Sequence, residues 1–99
     1  MKDVIVYSEK TNYMGFSVMG IVDILRRENP GDNIHLVDNE QDLAQALEEN
    51  EIGLAMLLKK AELPKKEGMA VMDISFLIYS QTTLIEYIFN AYKLSTSHH

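Results

Sequence analysis

Ile52-Gly53-Leu54-Ala55-Met56-Leu57-Leu58 is an apolar run that no charged or polar side chain interrupts. A strand with one wet face alternates apolar and polar residues. A run that is apolar at every position reads instead as a strand buried on both faces, the habit of parallel sheets. Val4-Ile5-Val6-Tyr7, bounded by Asp3 and the polar segment Ser8 to Asn12, has the same character. Asn33 to Val37, with Ile34, Leu36 and Val37 as its apolar members, supplies a third short strand.

The segments between these strands are helical. From Tyr13 to Glu28, the residues Met14, Val18, Ile21, Val22 and Leu25 fall on one stripe. Asn12 is the expected cap, Arg26 and Arg27 suit the negative end of the helix, and Asn29-Pro30-Gly31 stops it. Asp38-Asn39 offers a second cap ahead of Glu40, Gln41 and Asp42, and Leu43, Ala44, Ala46 and Leu47 form the buried stripe of a helix ending near Glu48 to Glu51. Strand, helix, strand, helix, strand at this spacing amounts to two right-handed crossover units and a parallel sheet.

The second half departs from this rhythm. Lys59 to Gly68, with four lysines, Pro64 and a glycine, reads as an exposed loop. Met69 to Tyr79 alternates, with Ala70, Met72, Ile74, Phe76 and Ile78 on one side, and is expected to be a fourth strand, with a helical turn over residues 69–73 leading into it as the alternative. A parallel return without a helix is tight, because such crossovers usually need a dozen residues or more. An antiparallel fourth strand therefore stays open beside the parallel one that is favoured. Ser80 to Leu94 reads as a final helix capped by Thr82 or Thr83.

Composition narrows the function classes. The 99 residues fit one domain, taken as 1–97, with His98 and His99 resembling the start of a tag and set aside from any metal argument. No cysteine is present, which excludes disulfides, thiolate metal sites and thiol nucleophiles. Fifteen acidic side chains against nine basic give −6, a poor balance for tracking nucleic-acid phosphates. No apolar run approaches the roughly 20 residues of a membrane helix, so a cytoplasmic protein is expected, without membrane contact.

In an open parallel sheet, sites form beyond the carboxyl ends of the strands. The loop after the first strand supplies the candidate ligand-binding residues Ser8, Glu9, Thr11 and Asn12, whose hydroxyls and amides beside a helix N-terminus suit an anion; no glycine eases close backbone approach. Glu9, Asp38 and Glu40 are the acids expected near that edge, as a magnesium set or as solvated helix-start residues. Lys59, Lys60, Lys65 and Lys66 form a basic patch on an acidic chain, either plain solvated surface or a docking surface for an acidic partner. No Ser/His/Asp set accompanies His35.

The helices carry more apolar surface than one face against a sheet requires. Phe16, Met19 and Ile24 lie off the main stripe of the first helix. Leu84, Ile85, Tyr87, Ile88, Phe89, Tyr92 and Leu94 surround much of the last. Such a surplus marks a partner interface, with Phe16, Met19, Ile24, Ile85, Phe89 and Tyr92 as its candidate residues.

Residues 1–58 resemble the start of a response-regulator receiver domain, nearest to the N-terminal domains of LuxR/NarL-type transcription regulators. The resemblance rests on Val4–Tyr7, on Gly15-Phe16-Ser17-Val18-Met19, and on Asn33–Val37 before Asp38-Asn39-Glu40-Gln41-Asp42-Leu43-Ala44. It implies a small three-layer αβα sandwich, flavodoxin-like and truncated, with a mostly parallel four-stranded sheet. The departures imply more about function. Receivers bind magnesium with an acidic pair after the first strand, where this chain has Tyr7 and Ser8; their phosphoacceptor aspartate ends the third strand, where it has Leu57, Leu58 and Lys59. Ser80 corresponds to the receiver's switch hydroxyl, and the conserved lysine has no counterpart. The implied reading is a pseudo-receiver without cofactor or catalytic residues, acting through a homodimer or a heterodimer with a related regulator. The loop Tyr7–Asn12 also resembles the phosphate loop of flavodoxins, which leaves a flavin mononucleotide- or phosphate-binding protein as the alternative. The opening Val4 to Thr11 is similar to that of glutaredoxins too, but a thiol oxidoreductase needs the cysteines this chain lacks.

Overall fold

The computed structural model describes residues 3–9, 12–13, 16–75 and 89–94. In chain order the elements are strand β1 (Asp3–Tyr7), the two-residue strands β2 (Asn12–Tyr13) and β3 (Phe16–Ser17), helix α1 (Val18–Glu28), strand β4 (Asn33–Val37), helix α2 (Glu40–Glu49), and strands β5 (Ile52–Leu57) and β6 (Ala70–Asp73). Residues 89–94 are helical. Four strands form one sheet in the order β4-β1-β5-β6, and every pairing in it is parallel. This is an α/β fold, consistent with the small flavodoxin-like sandwich that the strand pattern implies.

Strand order explains where the helices lie. The step from β1 to β4 runs one way across the sheet, and the step from β4 to β5 runs back past β1. Right-handed connections therefore put α1 and α2 on opposite faces. The cores agree. Val4 and Val6 of β1 pack with Val18, Ile21, Val22 and Leu25 of α1 and with Tyr92. Ile5 and Tyr7, pointing the other way, pack with Leu43 and Leu47 of α2. The step from β5 to β6 continues in the second direction, so its crossover belongs on the α2 face. Ala61, Leu63 and Met69 indeed pack into that second cluster, although residues 58–69 contain no helix. The β1–β5 register shifts between Asp3 and Val4, which pair with Ile52 and Leu54; the extra residue is Gly53, the usual sign of a bulge.

Two expectations change, and one that was open is settled in the favoured direction. First, α1 begins at Val18 with Ser17 as its cap, not near Tyr13 with Asn12 as its cap. Asn12 and Tyr13 instead pair antiparallel with Ser17 and Phe16. The aromatic residues at 13 and 16 favour extended backbone, and Ser17 satisfies the Gly20 amide. Second, the direction of the fourth strand resolves as parallel, reached by a helix-free connection of the minimum length such returns need. Third, β6 stops at Asp73, whose Oδ1 accepts from the Ser75 amide at 2.9 Å and from the Ser75 hydroxyl at 2.6 Å, turning the chain out of the sheet. Residues 76–79 and the expected start of the last helix lie outside the described residues. No helix among the described residues is long and apolar enough to cross a membrane.

Candidate functional site

The carboxyl edge of the sheet collects the ends of β1, β4, β5 and β6. The Ser8 amide donates to the Val37 carbonyl at 3.0 Å, the Leu58 amide to the Tyr7 carbonyl at 2.8 Å, and the Ile74 amide to the Leu57 carbonyl at 3.0 Å. These bonds carry the ladder one residue beyond the strands. They bring the loops after β1 and β5 side by side, so that Lys59 Nζ stands 3.5 Å from Glu9 Oε2. The Glu9 carboxylate, then Tyr7 and more weakly Glu40, hold the Lys59 ammonium above the ordinary lysine range; burial opposes them. Both partners face solvent, so the pair locates charge at the edge and adds little to stability.

The anion-loop candidates do not converge on a cradle. Ser8 is buried and its amide is committed to the sheet. Glu9 is exposed and paired with Lys59. Thr11 lies outside the described residues, and Asn12 sits in β2. The β2–β3 pair separates this loop from the first amides of α1, so the loop does not run into a helix N-terminus as expected. At the end of β4, Asn39 Nδ2 donates to Asp38 Oδ1 at 2.8 Å and to Asp42 Oδ2 at 2.9 Å, while Asn39 Oδ1 accepts from the Asp42 amide. These acids belong to the cap of α2. Among the described residues, no group of three histidines or acids stands close enough to hold a metal ion. The hydroxyl nearest the described end of the fourth strand is Ser75, bonded to Asp73; Ser80 lies outside the described residues.

The expected interface residues separate into distinct environments. Met19 is 42% exposed on α1, and Ile24 is half-buried. Phe89 is half-buried against the first core. Tyr92 is a correction: only 1% exposed, it belongs to that core, and its hydroxyl donates to Asp32 Oδ2 at 3.0 Å. Its amphipathic ring satisfies an inward apolar position and a polar rim together, so it is no part of an exposed face. Leu94, beside it in sequence, is 62% exposed. Ile85 lies outside the described residues, and Phe16 is placed only as a member of β3.

Sequence pattern alone groups Lys59 with a basic patch and Glu9 with a magnesium set, not with each other. The available signal was positional: each residue directly follows the end of a strand, and those two strands are neighbours. No protein-family model, no curated protein and no solved structure matches the chain.

Proposed function

We propose that this chain is a non-catalytic protein–protein interaction module, a pseudo-receiver that acts in regulation in the cytoplasm through a homodimer or a heterodimer with a related regulator. The observation that supports this reading is Lys59 beside Glu9 at the carboxyl edge. Receiver chemistry needs carboxylates there to hold a divalent cation and to accept a phosphoryl group. An ammonium ion placed against the acid that follows β1 cancels the charge a cation requires. The exposed Met19 and Leu94, on the layer that contains α1 and residues 89–94, supply apolar surface for association.

Two measurements test the reading. After incubation with acetyl phosphate and magnesium, intact mass is expected to stay unchanged; a stoichiometric phosphoryl adduct on an aspartate overturns it. In sedimentation velocity with a related regulator, association is expected to weaken in a Met19→Glu/Leu94→Glu variant. Saturable quenching of flavin mononucleotide fluorescence would instead transfer the function to the Ser8–Asn12 loop.

A further inference from the structure

The crossover from β5 to β6 leaves a groove where a doubly wound sheet ordinarily carries a helix. Its volume is about 850 Å³. Leu43, Ala44 and Leu47 of α2 line one wall, and Ala61, Leu63 and Pro64 of the crossover line the other. The walls carry opposite charge. Residues 40–51 contain Glu40, Asp42, Glu48, Glu49 and Glu51 and no basic side chain. Residues 58–69 contain Lys59, Lys60, Lys65 and Lys66 against Glu62 and Glu67. Within the chain these charges act on each other only weakly: Lys59 turns to Glu9 and feels Glu40 last among its neighbours, Lys66 donates to the Leu47 carbonyl, and among the described residues no ion pair joins the walls. Glu40, Ala44 and Glu48 are exposed and four residues apart, so they form one stripe of α2 with only a methyl group at its centre.

We propose that this groove is a self-association surface, occupied by a second copy of the chain related by a two-fold axis. Under that symmetry the Glu40–Ala44–Glu48 stripe of each copy meets the Lys60–Lys65 segment of the other, and the contact is made twice. Two chains of net charge −6 repel over most of their surface. The lysine-rich crossover is where that repulsion reverses. An acidic partner of another kind satisfies the lysines but confronts the acids of α2, whereas a second copy answers both walls. The proposal rests on the reading of the chain as an association module, and it assigns self-association to the layer opposite Met19 and Leu94.

The test is a charge swap read by sedimentation equilibrium. Wild type is expected to dimerise at low ionic strength and less so as salt is added. A Glu40→Lys/Glu48→Lys variant and a Lys60→Glu/Lys65→Glu variant, each checked for an unchanged circular dichroism spectrum, are each expected to self-associate at least about tenfold more weakly. Mixed together, the two are expected to recover a one-to-one dimer. Ala44→Glu, which crowds the centre of the stripe without touching the core, is expected to abolish dimerisation. A monomeric wild type at all concentrations, or variants that dimerise as wild type does, overturns the proposal. If Met19→Glu/Leu94→Glu dissociates a dimer that the charge variants leave intact, the groove assignment fails while the interaction reading survives.

Discussion

The phenol of Tyr92 donates to the carboxylate of Asp32, 3.0 Å away and sixty residues earlier in the chain. It ties the helical residues 89–94 to the turn between α1 and β4, and so closes the first core. Burial, followed by the hydrogen bond and charge of Asp32, raises the phenol well above its ordinary value of 10. The unfolded chain therefore releases this proton before the folded chain does. The stabilisation is complete below pH 10 and falls as pH climbs past it. Tyr92→Phe is expected to cost about 1–3 kcal/mol at neutral pH, as for a hydrogen bond to a charged acceptor. The gap between variant and wild type is expected to narrow by pH 11, read from urea melts at both values.

Arg26 guards an edge. Its guanidinium donates to the Ile34 carbonyl at 2.7 Å, on β4, whose other side pairs with β1. Arg26→Ala is expected to lower stability by about 1 kcal/mol and to speed sheet-type aggregation on heating, followed by thioflavin fluorescence.

The two helix caps differ in quality. Asn39 Oδ1 accepts from the Asp42 amide at 2.8 Å, whereas Ser17 Oγ accepts from the Gly20 amide at 3.3 Å. Asn39→Ala is expected to cost about 1 kcal/mol in a thermal melt, and Ser17→Ala less.

Gly68 closes the helix-free crossover with φ at +82°, a conformation that side chains rarely adopt, although nothing crowds the place where a Cβ would stand. Gly68→Ala is expected to destabilise by about 1 kcal/mol through backbone strain alone. Leu63→Ala, which loosens the crossover from the second core, is expected to hasten tryptic cleavage at Lys60, Lys65 and Lys66 more than cleavage elsewhere.

Releasing Lys59 from its partner tests the carboxyl edge. In Glu9→Gln the Lys59 ammonium is expected to titrate at lower pH than in wild type, observed by NMR of the side-chain nitrogen, because its largest source of stabilisation is gone.

Much of this architecture is legible in the residues. β1, β4, β5 and α2 fall where apolar runs, turn residues and the Asn39 cap put them, because each is specified by its own neighbours. The start of α1 is ambiguous in the residues because Asn12 and Ser17 are both good caps, and Met14 continues the stripe by one turn; only the pairing of Tyr13 with Phe16 decides between them. Tyr92 looked like surplus surface because its acceptor, Asp32, is remote in sequence. The candidate site was hardest to read. Its central pair joins residues fifty positions apart, and nothing local to Glu9 announces Lys59.

Strand order also governs how the chain is born. β1 lies in the middle of the sheet, and both of its partners, β4 and β5, are synthesised after it. On the ribosome this greasy strand must wait for residue 37 to gain its first partner and for residue 57 to gain its second, and the layer over its Val4 and Val6 face is not sealed until Tyr92 arrives. A holding chaperone thus has its longest opportunity at β1, during that interval.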